Sequence, residues 1–322
     1  MRPSGLSRML PATLFLSFCA FAVSATQQQP EADAEAAFRI GVFADVQYAD
    51  KESAGKRNYR NSLTLLESCL ARLKAEKPDY LMQLGDLIDG RGGEAESKQD
   101  LDRVLAPIEK TELATLHVVG NHCLEVPRAA LLPALKLKSA YYSLRRDGYR
   151  LVVLDALAWS TCGWPKESSS WKQGNQWLQQ NQGKAKNVQS WNGGLGESQR
   201  AWLQGELDEA LRLQEKVVIA CHLPVCVEAS SEWHLLWDHR EVLKLVQKYP
   251  CVVLWLNGHD HDGGYAFQNG IHFLTLPGMV EADAQSNPFG ILEFYSDRIE
   301  LEGYGSVKSR TLRHRTPISA GS

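Results

Sequence analysis

The stretch Phe38-Arg39-Ile40-Gly41-Val42-Phe43-Ala44-Asp45 sets the pattern of this chain. It is an apolar run, of the length of a buried strand, that leads directly into a carboxylate. A second such run, residues 79–84, ends at Gly85-Asp86. Between the two runs, residues 62–74 carry apolar side chains at helical spacing. This alternation of strand and helix predicts an α/β fold.

Four further strands are predicted along the chain. They are expected at residues 115–119, 149–154, 216–220 and 251–256, with a second helix at residues 101–113. Five of the six strands run into side chains that can bind a metal. Their motifs are Asp45-x-Gln47, Gly85-Asp86, Gly120-Asn121-His122, His222 and Gly258-His259-x-His261. Because α/β folds build sites at the carboxyl ends of strands, we expect these motifs to meet.

The donor types in these motifs indicate which metals the site suits. Carboxylate and amide oxygens mixed with imidazoles favour Mn²⁺, Fe²⁺ or Zn²⁺ over Ca²⁺. The candidate ligands exceed what one ion needs, and they predict two ions bridged by one carboxylate. Asp86, alone in its motif between the others, is the expected bridge. The candidate ligands are Asp45, Gln47, Asp86, Asn121, His222, His259 and His261. A lone histidine is more often structural, and we assign that role to His234, His239 and His314.

Composition excludes several classes of protein. The chain has 322 residues, of which 44% are hydrophobic and 23% charged, so it is too apolar and too weakly charged for a disordered protein. Its formal net charge of −3 argues against a nucleic-acid partner, because phosphate-binding surfaces are strongly basic. Outside the N-terminus no uncharged run reaches the roughly 18 residues of a membrane span, so no stable membrane anchor is expected.

The N-terminus has the features of a signal peptide. Arg2 and Arg8 precede an apolar run over residues 9–23, and Val23-Ser24-Ala25 offers small residues for cleavage. We therefore expect residues 1–25 to be removed, residues 26–38 to form a linker, and the protein to be secreted or periplasmic. Six cysteines would remain, and the sequence leaves their disulfide pairing open.

Residues 157–196 break the strand–helix rhythm. They hold five of the nine tryptophans, with many Gln, Asn, Ser and Gly residues. A long surface loop is one interpretation, but so many aromatic side chains favour a Trp-rich cap insertion packed over the site. Residues 308–322 are expected to form a basic, solvated tail.

The order of the five motifs resembles that of the calcineurin-like metallophosphoesterases, whose pattern is D-x-H, G-D, G-N-H-D/E, H and G-H-x-H. The resemblance covers about residues 39–307. Gln47 stands where most members have His, and Cys123 stands where an acid is usual. The D-x-Q motif is similar to the manganese-dependent ADP-ribose/CDP-alcohol diphosphatase branch. The segments Tyr59-Arg60-Asn61-Ser62-Leu63 and Trp191-Asn192-Gly193-Gly194-Leu195 are also similar to that branch.

This resemblance implies a four-layer α-β-β-α sandwich around two divalent metals, with Mn²⁺ favoured because Gln47 offers a hard oxygen. One metal would be held by Asp45, Gln47, Asp86 and His261, and the other by Asp86, Asn121, His222 and His259. The catalytic residues implied are Asp86 and His122, the latter as proton donor or charge partner to the leaving oxygen. The substrate contacts implied are Arg60, Asn192, Gly193, Gly194 and Cys226. Lys51, Lys56 and Arg57 are further cations near the first motif, and a solvated helix start explains them equally well.

The function expected from these inferences is that of an exported dinuclear phosphohydrolase. It would cleave the pyrophosphate bond of a nucleoside-diphosphate-X compound to a nucleoside monophosphate and X-phosphate, so its partner is a small nucleotide-derived substrate. One alternative is a phosphodiesterase or phosphomonoesterase of the same fold. Another is a non-catalytic metal-binding module. The preferred base, the X group, the physiological metal and the oligomeric state stay open.

Overall fold

The computed structural model describes residues 35–315. The expected signal peptide and most of the linker lie outside this range, as does the end of the tail. The α-helices of the described part are α1 (Asn61–Glu76), α2 (Glu94–Glu109), α3 (Arg128–Ala134), α4 (Ser169–Asn181), α5 (Gly196–Arg212) and α6 (His239–Val246). None of these helices is long and apolar enough to cross a membrane.

The strands of the described residues form two six-stranded sheets. The first has the order β12-β11-β10-β1-β2-β3, in which β1, β2 and β3 are parallel. Its strands are β1 (Phe38–Phe43), β2 (Tyr80–Gln83), β3 (Ala114–His117), β10 (Phe289–Phe294), β11 (Arg298–Tyr304) and β12 (Arg310–Arg313). The second has the order β4-β5-β6-β7-β9-β8, in which β5, β6, β7 and β9 are parallel. Its strands are β4 (Tyr142–Arg146), β5 (Tyr149–Leu154), β6 (Lys216–Cys221), β7 (Val252–Asn257), β8 (Gly264–Gln268) and β9 (Ile271–Thr275).

The two sheets pack face to face, and the helices cover their outer faces. Ile40 and Val42 of β1 lie in one buried cluster with Leu151 of β5 and Leu254 of β7. Successive strand residues alternate between the two faces of a sheet, so Gly41, between Ile40 and Val42, lies on the opposite face of β1. On that face Gly41 packs against Leu73 of α1. A second cluster joins the helices to the outer faces of the sheets. The four-layer α-β-β-α prediction is confirmed.

Most element boundaries fall within two residues of those expected, but those of helix α2 and of the C-terminal tail differ by more. Helix α2 begins at Glu94 rather than at residue 101, because Glu94 and Glu96 favour the positive end of a helix. The basic tail expected from residue 308 begins inside the fold, since β12 pairs with β11 and Leu312 is fully buried. The folded domain therefore extends at least to Arg313.

The Trp-rich region contains helix α4, whose Trp177 packs against two other indoles. The ring of Trp177, on α4, lies 5.0 Å from that of Trp159 and 4.6 Å from that of Trp237. Trp159 and Trp237 are themselves 5.7 Å apart, edge to face. These contacts fix the insertion on the segment just before α6. That the insertion covers the site stays a prediction.

Candidate metal centre

All seven candidate ligands lie in one connected group, where the carboxyl ends of parallel strands from both sheets meet. Asp45 and Gln47 follow β1, Asp86 follows β2, and Asn121 follows β3. From the second sheet, His222 follows β6, and His259 and His261 follow β7. Because the two sheets face each other, their strand ends bring oxygen and nitrogen donors together from opposite sides.

Asp45, Gln47 and His261 form one side of this group. Asp45 is fully buried, and its Oδ2 accepts a hydrogen bond from the backbone N–H of His259 at 3.0 Å. Its Oδ1 faces Nε2 of His261 at 3.5 Å. Gln47 donates from Nε2 to Oδ2 of Asp86 at 3.3 Å, which links this side to the central carboxylate.

Asp86, His222 and Asn121 form the other side. Nε2 of His222 lies 3.2 Å from Oδ2 of Asp86 and 3.2 Å from Oδ1 of Asn121. Nδ1 of His222 donates to the carbonyl of Leu84 at 2.7 Å, and this bond directs Nε2 toward the carboxylate. Donor atoms of Asp86, His222 and His259 all lie within 4.8 Å of one another.

The unsatisfied atoms of this group fit bound cations. Oδ1 of Asp45 and Oε1 of Gln47 are buried and have no hydrogen-bond partner among the described residues. An unpaired buried oxygen costs free energy, so each of the two needs an explanation. A cation bound beside each oxygen would satisfy that oxygen. The residues present therefore fit a metal on the Asp45–Gln47 side and another at the Asp86–His222–His259 cluster.

The charges at the centre also fit cations. Burial alone would raise the pKa of Asp86, but His222 and His122 hold it below its usual range. Burial opposes protonation of His222, yet the nearby carboxylates of Asp86 and Asp45 raise its pKa to about 9. These carboxylates therefore favour a positive charge at His222, and a bound cation would displace the proton from this ring. Burial holds the pKa of His259 well below its ordinary value, so that ring stays neutral, as a metal ligand must be.

The backbone at the ligands takes an unusual conformation. Asp45, Gln47, Asp86 and His259 all have positive φ, between 41° and 68°, where non-glycine residues are uncommon. Gly120 packs directly on Asp86, and a Cβ atom there would overlap the backbone nitrogen of Asp86. The strand ends thus bend sharply enough to turn four side chains into the centre.

His122 lies beside the ligands and is held by Asp89. Its backbone N–H donates to Oδ1 of Asp86 at 2.9 Å, so the ring starts next to the bridging carboxylate. Its Nδ1 donates to the carbonyl of Asp89 at 2.9 Å and lies 3.4 Å from that residue's Oδ1. Within residues 35–315 no side chain or backbone group bonds Nε2, so this nitrogen is available to a substrate. The spacing Asp86-x-x-Asp89 was visible in the sequence but carried no assigned role.

Two other residues hold ligands in place, and sequence reasoning assigned neither of them this role. Glu281 accepts from Nδ1 of His261 at 3.1 Å, and Asn192 bonds Nε2 of His259 at 2.8 Å. Such partners fix which ring nitrogen is free to bind a metal.

Most of the residues expected to contact substrate are committed to protein partners. Arg60 donates to Asp50 at 2.7 Å and to Glu52 at 2.6 Å. Cys226 is buried and its thiol donates to Glu228, while burial and that carboxylate raise its pKa to about 12. Asn192 is fully buried, and Gly193 and Gly194 are buried beside it. The predicted substrate contacts of all five residues stay predictions.

His234 stands at the metal centre, contrary to the purely structural role assigned to it. Its ring lies edge to face against His259, with centroids 5.2 Å apart. Its Nδ1 lies 3.7 Å from Oδ1 of Asp260, the residue between the two ligands of the last motif. No motif surrounds His234, and only the packing of its loop brings it here.

Comparison with known proteins agrees with this geometry. The sequence matches the calcineurin-like phosphoesterase family over residues 38–263. A manganese-dependent ADP-ribose/CDP-alcohol diphosphatase from Xenopus laevis is 33% identical, over 87% of this chain and 91% of that protein. Proteins of the same name from Oryza sativa and Homo sapiens are 33% and 30% identical, over 84% and 89% of this chain and 92% and 96% of their own lengths.

A solved structure is similar as well. A dimetal phosphatase from Danio rerio superposes with a TM-score of 0.82 at 30% identity, covering 87% of this chain and 100% of that one.

Proposed function

The chain belongs to the calcineurin-like phosphoesterase family, and we propose that it is an exported dimanganese enzyme that cleaves the pyrophosphate bond of nucleoside-diphosphate-X compounds. ADP-ribose and CDP-alcohols represent the substrate class, and the products are a nucleoside monophosphate and X-phosphate. That the chain is a metal-dependent phosphate hydrolase follows from the family and the donor set. The substrate class rests on one observation, the similarity along most of the chain to relatives with that activity in their names.

The residues that would hold the metals are those gathered at the strand ends. Asp45, Gln47 and His261 would serve one ion, and Asn121, His222 and His259 the other, with Asp86 shared. When bound, two such ions lower the pKa of water toward 7 and neutralise charge on phosphoryl oxygens. The amide oxygen of Gln47 in place of an imidazole favours a hard ion such as Mn²⁺.

His122 would serve the leaving oxygen. Its Nδ1 proton is donated to the carbonyl of Asp89, so only Nε2 can meet a substrate. In the imidazolium form, Nε2–H donates a proton to the departing phosphate oxygen, and the carboxylate of Asp89 at 3.4 Å stabilises the positive ring.

Export is the part of this proposal that rests on the sequence alone. The expected cleavage after Ala25 lies outside the described residues. The six cysteines of the described part are unpaired, and four of them are buried. Burial raises the pKa of Cys123 to about 12, and such buried thiols are unreactive, so an oxidising compartment is compatible with this fold. Fractionation of the producing cell and N-terminal sequencing test the export, and the expected first residue is Thr26.

The activity is tested with the chain from Thr26 onward, MnCl₂, and ADP-ribose or CDP-glycerol in separate reactions. Ion-exchange chromatography should detect AMP or CMP together with the X-phosphate. Reactions in ¹⁸O-labelled water then show by mass spectrometry which product gained the oxygen, and hence which phosphorus was attacked.

The alternatives predict different products. Intact nucleotides beside hydrolysis of simple phosphate esters would overturn the diphosphatase assignment in favour of an esterase of the same fold. No turnover of either, with Mn²⁺ bound, would favour a non-catalytic module.

A further inference from the structure

Two neighbouring loops carry the residues that face the leaving group. One follows β2 and bears Asp86 and Asp89, and the other follows β3 and bears His122. Two sets of bonds join the loops. His122 bonds Asp86 and Asp89, and the backbone N–H of Leu87 donates to Sγ of Cys123 at 3.2 Å. Every one of these contacts lies close to the metal centre.

The carboxylate of Glu125, on the second loop, bonds the outer end of the first loop. Glu125 accepts from the backbone N–H of Arg91 at 2.6 Å and of Gly92 at 2.8 Å. It also accepts from the hydroxyl of Ser97 at the start of α2. A Cβ atom at Gly90 would overlap this carboxylate, so the bare backbone of Gly90 is what lets Glu125 approach.

Glu125 lies two residues after Cys123, the position of the third motif at which the family usually has an acid. Position 123, where the family pattern has an acid, holds a cysteine whose thiol is kept neutral by burial, which raises its pKa to about 12. The first carboxylate after that position is Glu125, on the same turn of the chain. Its backbone partners, Arg91 and Gly92, follow Asp89 by two and three residues.

We infer that Glu125 is a positioning residue, which holds the Asp89 loop so that the carbonyl and carboxylate of Asp89 stay against His122. The inference rests on the proposed function, because it matters through the role of His122 at the leaving oxygen.

The test compares Glu125→Gln with wild type on two adenosine 5′-phosphate aryl esters, phenyl and 4-nitrophenyl, alongside ADP-ribose. The N–H groups of Arg91 and Gly92 bond different oxygens of Glu125, and the amide of Gln would place an NH₂ donor against one of them, so the Asp89 loop should shift. Nitrophenolate leaves without much help, whereas phenolate needs a proton. We expect kcat for the phenyl ester to fall about 10–100-fold more than for the nitrophenyl ester, with KM nearly unchanged. Equal losses on both esters, or no loss, would overturn the inference.

A matched control is Glu215→Gln. Glu215 is a buried acid that accepts from Arg150 at 2.9 Å, beside the second sheet, away from His122. This variant should lose stability while the ratio of the two ester rates stays at the wild-type value.

A second measurement does not depend on turnover. Long-range ¹H–¹⁵N spectra report which ring nitrogen of His122 carries the proton. When the ring is neutral, wild type should show the Nδ1–H form, and Glu125→Gln should show a mixture of the two neutral forms. An unchanged spectrum in the variant would overturn the inference even if the enzyme acts on another substrate. Failure of wild type to cleave ADP-ribose would instead count against the proposed function.

Discussion

Nε2 of His259 donates its proton to Oδ1 of Asn192 across 2.8 Å. The direction of this bond follows from the other bonds of Asn192, whose Nδ2 donates to the carbonyls of Asn187 and Trp233. Its Oδ1 must therefore be the acceptor and Nε2 of His259 the donor. Nδ1 of His259 is then the unprotonated nitrogen that can bind a metal.

Replacing Asn192 should weaken metal binding. Asn192→Leu removes the acceptor that fixes the ring of His259, and we expect Mn²⁺ affinity to fall about 10–100-fold. Calorimetric titration of the metal-free protein with MnCl₂ measures this directly. Asn287→Leu is the control, since Asn287 is also buried but bonds the carbonyl of Leu65. Equal affinities in wild type and Asn192→Leu would contradict the prediction.

Loss of the central carboxylate should affect both metals. Asp86→Asn removes the negative charge that both His222 and Gln47 contact. Loss of a residue that only supports a ligand can lower activity about 100-fold, so loss of this shared ligand should lower it by more. Elemental analysis should find two Mn ions per wild-type chain and fewer in the variant. Retention of both ions and full hydrolytic activity by Asp86→Asn would contradict the assignment of Asp86 as the bridging ligand.

Gly120 should not tolerate a methyl group. A Cβ atom there would overlap the backbone nitrogen and the carboxylate of Asp86, so Gly120→Ala should lower the free energy of unfolding by about 1–3 kcal/mol and reduce activity. Urea unfolding and kinetics measure the two effects. Gly205→Ala, inside α5 with open space around its Cβ, should instead stabilise by about 0.5–1 kcal/mol. Similar effects of the two substitutions would show that Asp86 can move.

Stability should fall in mild acid because of His117. Burial lowers the pKa of this ring from an ordinary 6.5 to about 4, and its Nδ1 accepts from Nε2 of Gln83 at 3.2 Å. The unfolded chain therefore takes up a proton first as pH falls. The resulting loss begins near pH 6.5, continues to about pH 4 and reaches about 3 kcal/mol.

The measurement for His117 is urea unfolding of wild type and His117→Gln between pH 7.5 and 4.5. The difference in unfolding free energy between the two proteins should shift by about 2–3 kcal/mol in favour of the variant as pH falls. A difference that does not change with pH would mean that the buried ring is protonated without cost.

The ligands could be predicted from the sequence because they obey a local rule. Each of Asp45, Asp86, Asn121, His222 and His259 comes directly after a buried strand or within a few residues of it, and parallel strands bring their carboxyl ends together. The apolar runs therefore predicted both the sheets and the meeting of the motifs. The expected strand at 149–154 agrees with β5 at both ends.

The residues that support the ligands could not be predicted in the same way. Glu281 lies in a short 3₁₀-helix, Met279–Glu281, and no periodic pattern marks it. His234 reaches His259 only because its loop folds over β7 from a distance in the chain. Asn192 was identified, but as a substrate contact, since a sequence does not show which way a buried amide points. Such contacts depend on tertiary packing.

The four left-handed residues at the centre also limit how this protein can be made more stable by mutation. Asp45, Gln47, Asp86 and His259 each hold a conformation that disfavours any side chain by roughly 1–2 kcal/mol and that glycine adopts freely. Selection for heat resistance alone, without a demand for turnover, would therefore favour glycine where the cations bind. Thermostable variants from such a screen would lose the metal centre while the two sheets stayed intact, and a useful screen must select for catalysis at every round.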